Sequence, residues 1–255
     1  MIDKKLAYPF VVEPFQEDYT GNLSWANLGN HILRVSSLHA EAHGFGYTYM
    51  KEHNRGWVLA RLVIEMESFP KTGEPYFIAT WVNKIFGQFT DRLYSITGPD
   101  GKVYGHGYST WALIDYDTRQ PVRLDTLPDG GFSDVVVEEG VPIAPPTRGR
   151  AKNPELMLTH KAVYSDLDIN GHVNSIRYID LTLDTFPKAW HDQNWVNRVE
   201  FNYGLEGHHG EELHVFQAPL DEQTFALHID RIENEGGETK ETILARAILH
   251  SKARN

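Results

Sequence analysis

"SWANLGNHILRVSSLHAEAHG", Ser24 to Gly44, sets apolar side chains at Trp25, Leu28, Ile32, Val35, Leu38 and Ala42. Gaps of three and four put these residues on one face of a helix. Ser24 suits the N-cap, and Gly44 and Gly46 suit the stop. Four runs of strand character follow, at 57 to 69, 76 to 86, 90 to 97 and 103 to 115, the last two joined by the turn "GPDGK". The expectation is a long helix followed by an antiparallel meander.

From Asp125 to Pro154 the texture changes, with five prolines and four glycines, and the stretch reads as a linker. Beyond it the pattern begins again. A strand near 157 to 165 leads to an apolar stripe of Val173, Ile176, Ile179, Leu183 and Phe186, which predicts a second helix ending at Pro187. Strand-like runs then lie near 195 to 206, 212 to 219, 223 to 233 and 240 to 251. An offset of 137 residues aligns Arg61 with Arg198, Leu62 with Val199, Ile64 with Phe201, and Gly73-Glu74 with Gly210-Glu211. The chain therefore reads as a faint duplication. Its expected parts are a domain over 1–124, a linker over 125–154 and a domain over 155–255.

Composition bounds the chemistry. The 255 residues suit one large domain or two small ones, and 41% hydrophobic content fills a core of that size. With no cysteine, disulfides, thiolate metal sites and cysteine nucleophiles are excluded. A net charge of −11 disfavours nucleic acid, whose phosphates need a basic field. No apolar run reaches the roughly 18 residues of a membrane helix, and the start "MIDKKLAYPFVVEPF" has no signal-peptide core. The expected location is the cytoplasm, with no membrane partner.

The halves differ in polar equipment. Only the second carries Asp168, Asn170 and His172 at alternate positions, with Gly171 between the last two, ahead of the predicted helix. At a helix start such side chains would meet unpaired backbone N–H groups and the positive end of the helix dipole. A carboxylate can activate water, an amide can hold an oxyanion, and an imidazole can move protons near neutral pH. Together they suit hydrolysis of an activated acyl group. Asp and Asn are also ordinary turn and cap residues, and Gly171 permits a turn, so the pattern alone leaves a purely structural role open. On the next strand, Arg198, Glu200, Asn202, Gly204 and Glu206 share an unusually polar face. Where Glu206 stands, the first half has Phe69.

Other signals are weaker. His39 and His43 have a spacing that can bind zinc, but no third ligand accompanies them. His208-His209 reads as a solvated turn and His31 as a polar member of the first helix. The glycine pairs "GFG" and "GHG" lack the setting of a phosphate loop, and there is no Gly-x-Ser-x-Gly elbow.

The stretch "DLDINGHVNSIRYID" resembles the signature of acyl-acyl carrier protein (acyl-ACP) thioesterases, the plant fatty-acyl thioesterase A and B types and their bacterial relatives. "WVLARLVIEMESFPKTGEPYFIATWV" resembles that family's first strand pair, and "STWALIDYDTRQPVRL" resembles the end of its first half. The likeness runs in order from about Tyr8 to the C-terminus. It implies an α+β tandem of two hot-dog domains, each a long helix packed on an antiparallel β-sheet. It carries over Asp168, Asn170 and His172 as catalytic residues. Glu206 joins them if "NYGLEGHHGEEL" matches the family's Tyr-Arg-Arg-Glu-Cys stretch, with Gly204 and Leu205 in place of the arginines and Gly207 in place of the cysteine. The cysteine put forward as the family's nucleophile has no counterpart, so water must attack directly, with Glu206 or Asp168 as base.

The implied substrate is a fatty acyl chain on the phosphopantetheine arm of acyl carrier protein, with no metal and no organic cofactor. The resemblance places the acyl pocket in the first half, making Trp25, Leu28 and Ile32 candidates for its lining. The carrier protein is acidic, so docking calls for a local basic surface, for which Arg148, Arg150, Lys152, Lys161 and Arg177 are the candidates nearest the motif. The alternatives are an acyl-CoA thioesterase and a non-catalytic acyl-thioester-binding protein. Monomer and homodimer are both compatible with a tandem.

Overall fold

The computed structural model describes residues 3–127, 132–147, 149–150, 152–235 and 238–254. The chain divides into two compact units, Met1–Pro145 and Pro146–Asn255. In the first, strand β1 (Leu6–Val11) precedes helix α1 (Trp25–Ala42) and a short helix α2 (Tyr47–Glu52). Four long strands follow: β2 (Arg55–Met66), β3 (Pro75–Phe86), β4 (Phe89–Thr97) and β5 (Val103–Asp115). They form an antiparallel sheet in the order β1-β3-β4-β5-β2.

Helix α1 forms for the reasons visible in its sequence. Ser24 is extended and its hydroxyl accepts the Asn27 N–H, while Gly44 at φ +79° lets the chain turn away after His43. Leu28, Ile32 and Val35 are fully buried along one stripe. Each such side chain contributes about 1.5–3 kcal/mol on burial. The four expected strands are found within a few residues of their predicted bounds. Strand β1 was not read from the sequence. It is short, contains Pro9 and lies at the sheet edge, where a missing N–H costs no ladder bond.

The stretch expected as a linker is largely built into the first unit. Leu124, Leu127 and Val135 pack in a cluster with Val82 and Leu113. Val137 N–H donates to Val82 O at 2.9 Å, and Trp81 Nε1 donates to Glu139 O at 2.9 Å.

The second unit repeats the plan with β6 (Glu155–Lys161), helices α3 (Arg177–Leu183) and α4 (Lys188–Gln193), and strands β7 (Asn194–Tyr203), β8 (Glu212–Pro219), β9 (Thr224–Glu235) and β10 (Glu238–Ala253). Its antiparallel order is β7-β10-β9-β8-β6. Here the sequence misleads in one respect: the apolar stripe from Val173 to Phe186 is not one long helix. Val173 is extended, bridged to Leu167 and bonded through its N–H to Gly207 O, so α3 is only seven residues. Thr182 and Thr185 hydroxyls turn back to the carbonyls of Ile179 and Thr182, and Pro187 caps a new helix. Among the described residues no helix is long and apolar enough to cross a membrane.

Candidate active site

Asp168 builds the loop that carries the motif. Its Oδ1 accepts the N–H groups of Asn170 at 2.8 Å and His172 at 3.2 Å, and its own N–H donates to His172 O at 2.8 Å. Gly171, at φ +78°, closes the turn by donating to Asp168 O at 3.0 Å. The helix begins only at Arg177. The expected presentation of the motif at a helix start is therefore not what the chain builds. The N–H groups of Asn170, Gly171, His172 and Val173 are all donated within the chain, and the Asn170 side chain is exposed.

The first unit contains the same loop. Asp18 Oδ1 accepts the N–H groups of Thr20 at 2.8 Å and Asn22 at 3.4 Å, Asp18 N–H donates to Asn22 O at 2.8 Å, and Gly21 sits at φ +74°. In both copies the residue after the turn reaches the loop that follows the first long strand beyond the helices: Leu23 N–H to Pro70 O, Val173 N–H to Gly207 O. The correspondence runs at an offset of 150 before the helix and 137 after it, because the second copy's helix is shorter. Asp168 thus has a structural twin in Asp18. What distinguishes the second copy is Asn170 for Thr20, His172 for Asn22 and Glu206 for Phe69.

Pairing of the two loops brings two of those three, His172 and Glu206, together. His172 and His208 face each other across an antiparallel bridge, and His172 Nδ1 lies 3.5 Å from Glu206 Oε1. Both side chains are partly open to solvent, at 22% and 30% exposure. His208, read from sequence as merely solvated, sets its ring perpendicular to that of His172 with centroids 5.1 Å apart. Nothing in the residue pattern announces this contact, because the bridge that makes it spans the helices.

The surroundings of Gly207 leave no room for a side chain. A Cβ there would lie 2.7 Å from the Tyr178 hydroxyl and 3.2 Å from both Leu244 Cδ1 and Val173 Cγ2. Tyr178 is itself buried. Gly207→Ala is expected to lower unfolding free energy by about 1–3 kcal/mol in urea titrations, with part of the loss recovered by adding Tyr178→Phe. Equal stability of the parent and Gly207→Ala would refute the steric account.

Beneath the loop, Asp166 is buried and accepts from His160 Nε2 at 2.7 Å, Val163 N–H at 2.8 Å and Arg177 Nε at 2.9 Å. Burial alone would raise its pKa; the Val163 N–H, His160 and Arg177 override that and hold it below the usual carboxylate value. Arg177 also donates to Asp180 at 3.2 Å, so this expected docking residue is engaged in bracing the loop. Arg150, Lys152 and Lys161 are exposed, and Arg148 lies outside the described residues. Trp25, Leu28 and Ile32 are core residues of the first unit, with Trp25 edge-on to Phe69. His39 and His43 form a stacked structural pair: His39 is buried with Nε2 on Lys4 O, and His43 Nδ1 bonds His39 O.

A carboxylate and an imidazole converge here on a partly open surface, with the exposed Asn170 on the same loop as His172, and a carboxylate–imidazole pair of this kind is able to activate water. Residues 4–126 match the acyl-ACP thioesterase N-terminal domain family and residues 149–246 match its C-terminal domain family. An acyl-ACP thioesterase from Bacteroides thetaiotaomicron of known structure is 36% identical, with 98% of each chain covered and a TM-score of 0.88. The 12:0-ACP thioesterase from Umbellularia californica shares the fold over 100% of this chain and 99% of its own, at 17% identity and a TM-score of 0.83. Oleoyl-acyl carrier protein thioesterase 1 of Arabidopsis thaliana, a chloroplastic protein, is 27% identical over 77% of this chain. The chain spans about three fifths of that plant relative, 59% of its length. The tandem hot-dog architecture expected from the sequence is the architecture found.

Proposed function

Because the chain belongs to the acyl-ACP thioesterase family, we propose that it hydrolyses the thioester of fatty acyl-ACP, releasing free fatty acid and holo-ACP in fatty acid biosynthesis. The observation that carries the mechanism is the contact between His172 and Glu206, made by the pairing of the motif loop with the Gly207–His208 loop. Glu206 takes a proton from water as the water oxygen attacks the thioester carbonyl carbon. His172 orients that carboxylate and water, and passes a proton to the departing phosphopantetheine thiolate. Asn170 donates its amide N–H to the developing oxyanion. Asp168 holds the loop in shape, as Asp18 does in the copy without this equipment. The scheme uses no metal or organic cofactor.

We assign the alkyl chain's lining to the first unit, with Trp25, Leu28 and Ile32 as candidates on the resemblance. An acidic carrier protein approaching a chain of net charge −11 needs a local basic surface, and Arg150, Lys152 and Lys161 supply exposed cations at the start of the second unit. The test is release of fatty acid from a panel of acyl-ACPs and the matching acyl-CoAs, with His172→Ala as control. Turnover of the ACP esters that collapses in the variant, and that weakens with added salt through KM, supports the reading. A preference for CoA esters would make the chain an acyl-CoA hydrolase. Tight binding without release would make it a carrier or sensor.

A further inference from the structure

We propose that His172, Glu206 and His208 form a binding site for a transition-metal dication of the zinc type, and that occupancy of this site blocks hydrolysis. One ligand atom from each of the three residues lies within 4.8 Å of the other two. Around a tetrahedral zinc ion with bonds near 2.1 Å, neighbouring donors stand roughly 3.4 Å apart. His172 Nδ1 and Glu206 Oε1, at 3.5 Å, already have that spacing. His208 supplies the third donor within the 4.8 Å bound, from a side chain that is 49% exposed. Two imidazoles and one carboxylate with an open fourth position make a borderline donor set that favours zinc over calcium or magnesium.

An independent feature points the same way. His208 Nδ1 lies 3.3 Å from Glu211 Oε1, and Glu211 in turn accepts from Arg231 Nη1 at 3.2 Å. A carboxylate on one ring nitrogen fixes the proton there and leaves the lone pair on the other, the arrangement that orients metal-ligating histidines. The hydrolytic scheme has no use for His208 or for this brace. The first unit keeps the loop but none of the donors, since Asn22, Phe69 and Lys71 stand in the corresponding places.

An ion held here takes the Glu206 carboxylate that would accept the water proton and the His172 nitrogen that would orient it, so metal and turnover exclude each other. This consequence rests on the proposed roles of Glu206 and His172, whereas binding itself does not. The experiment is titration of the metal-free protein with Zn2+ by calorimetry, and with Co2+ by its visible absorption, for the parent, His208→Ala, Glu211→Gln and His209→Ala. One ion per chain is expected in the parent and in His209→Ala. Affinity should fall by about tenfold or more in Glu211→Gln and further in His208→Ala. In parallel, Zn2+ should inhibit acyl-ACP hydrolysis, a chelator should restore it, and His208→Ala should resist inhibition relative to its own rate in chelator. Absence of binding in the parent, equal binding by His208→Ala, or acceleration by Zn2+ would overturn the proposal. If no acyl ester is turned over, the binding arm still reads the site while the hydrolase reading fails.

Discussion

Replacing Glu206 with Gln is expected to lower kcat for acyl-ACP hydrolysis by about 10²–10³-fold while KM changes little. The substitution keeps the side chain's size and its capacity to meet His172, 3.5 Å away, but removes the carboxylate proposed to accept the water proton. An interaction that develops only in the transition state appears in kcat, because ground-state binding of the acyl chain does not use it. Asp168→Ala provides the contrast. Its carboxylate already accepts two backbone N–H groups, so its removal should disorder the loop and lower the melting temperature together with kcat. Asp18→Ala should lower the melting temperature similarly, since Asp18 makes the same bonds in the other copy. Retention of near-normal kcat by Glu206→Gln, with collapse in a stably folded Asp168→Ala, would transfer the base to Asp168.

The same comparison shows which parts of the site were legible in the sequence. Helix α1 could be read because its cap, stripe and stop agree with one another. The motif stands out because Asp168, Asn170 and His172 alternate in the second half and this Asp-x-Asn-x-His pattern has no counterpart in the first. The bracing of the loop by Asp168 was not legible. The duplicate that exposes it, Asp18 to Asn22, is out of register with the offset of 137 that aligns the strands, because helix length differs between the copies. An apolar stripe also cannot distinguish a helix from an extended residue that faces the same core, which is why Val173 was read as helical. His208 was missed for a further reason. Its partner His172 lies thirty-six positions upstream and is met only through a bridge between two loops.

Glu200→Ala is expected to lower the unfolding free energy by about 3–5 kcal/mol, the usual consequence of breaking a buried ion pair from one side. Glu200 was read from sequence only as part of a polar strand face, yet it is 1% exposed. One oxygen accepts from Arg198 Nε at 2.9 Å and His250 Nε2 at 3.1 Å, and the other accepts the Thr147 N–H at 2.7 Å and hydroxyl at 2.9 Å. Burial raises the pKa of this carboxyl. The bonds from His250, Thr147 and Arg198 more than reverse that effect and bring the pKa down to about 2, from an ordinary value of 4.5. A folded-state pKa below the unfolded one stabilises fully above the unfolded value and loses that contribution as pH falls towards the folded one. The Glu200 contribution is therefore complete above about pH 4.5 and declines between there and about pH 2. Denaturant titrations at pH 7 and near pH 3 should show parent and Glu200→Gln converging at the acid end, with Glu200→Ala below both at pH 7. The cost has a local cause as well as an electrostatic one. Thr147 is the second residue of the second unit, and its carbonyl accepts from Asn202 while its N–H and hydroxyl close on Glu200. Removing the carboxylate takes from the buried Arg198 its ion pair at 2.9 Å and frees the segment that leads into β6 from its two Thr147 bonds. A stability difference between parent and Glu200→Ala that persists unchanged at pH 3 would assign the effect to packing instead of charge.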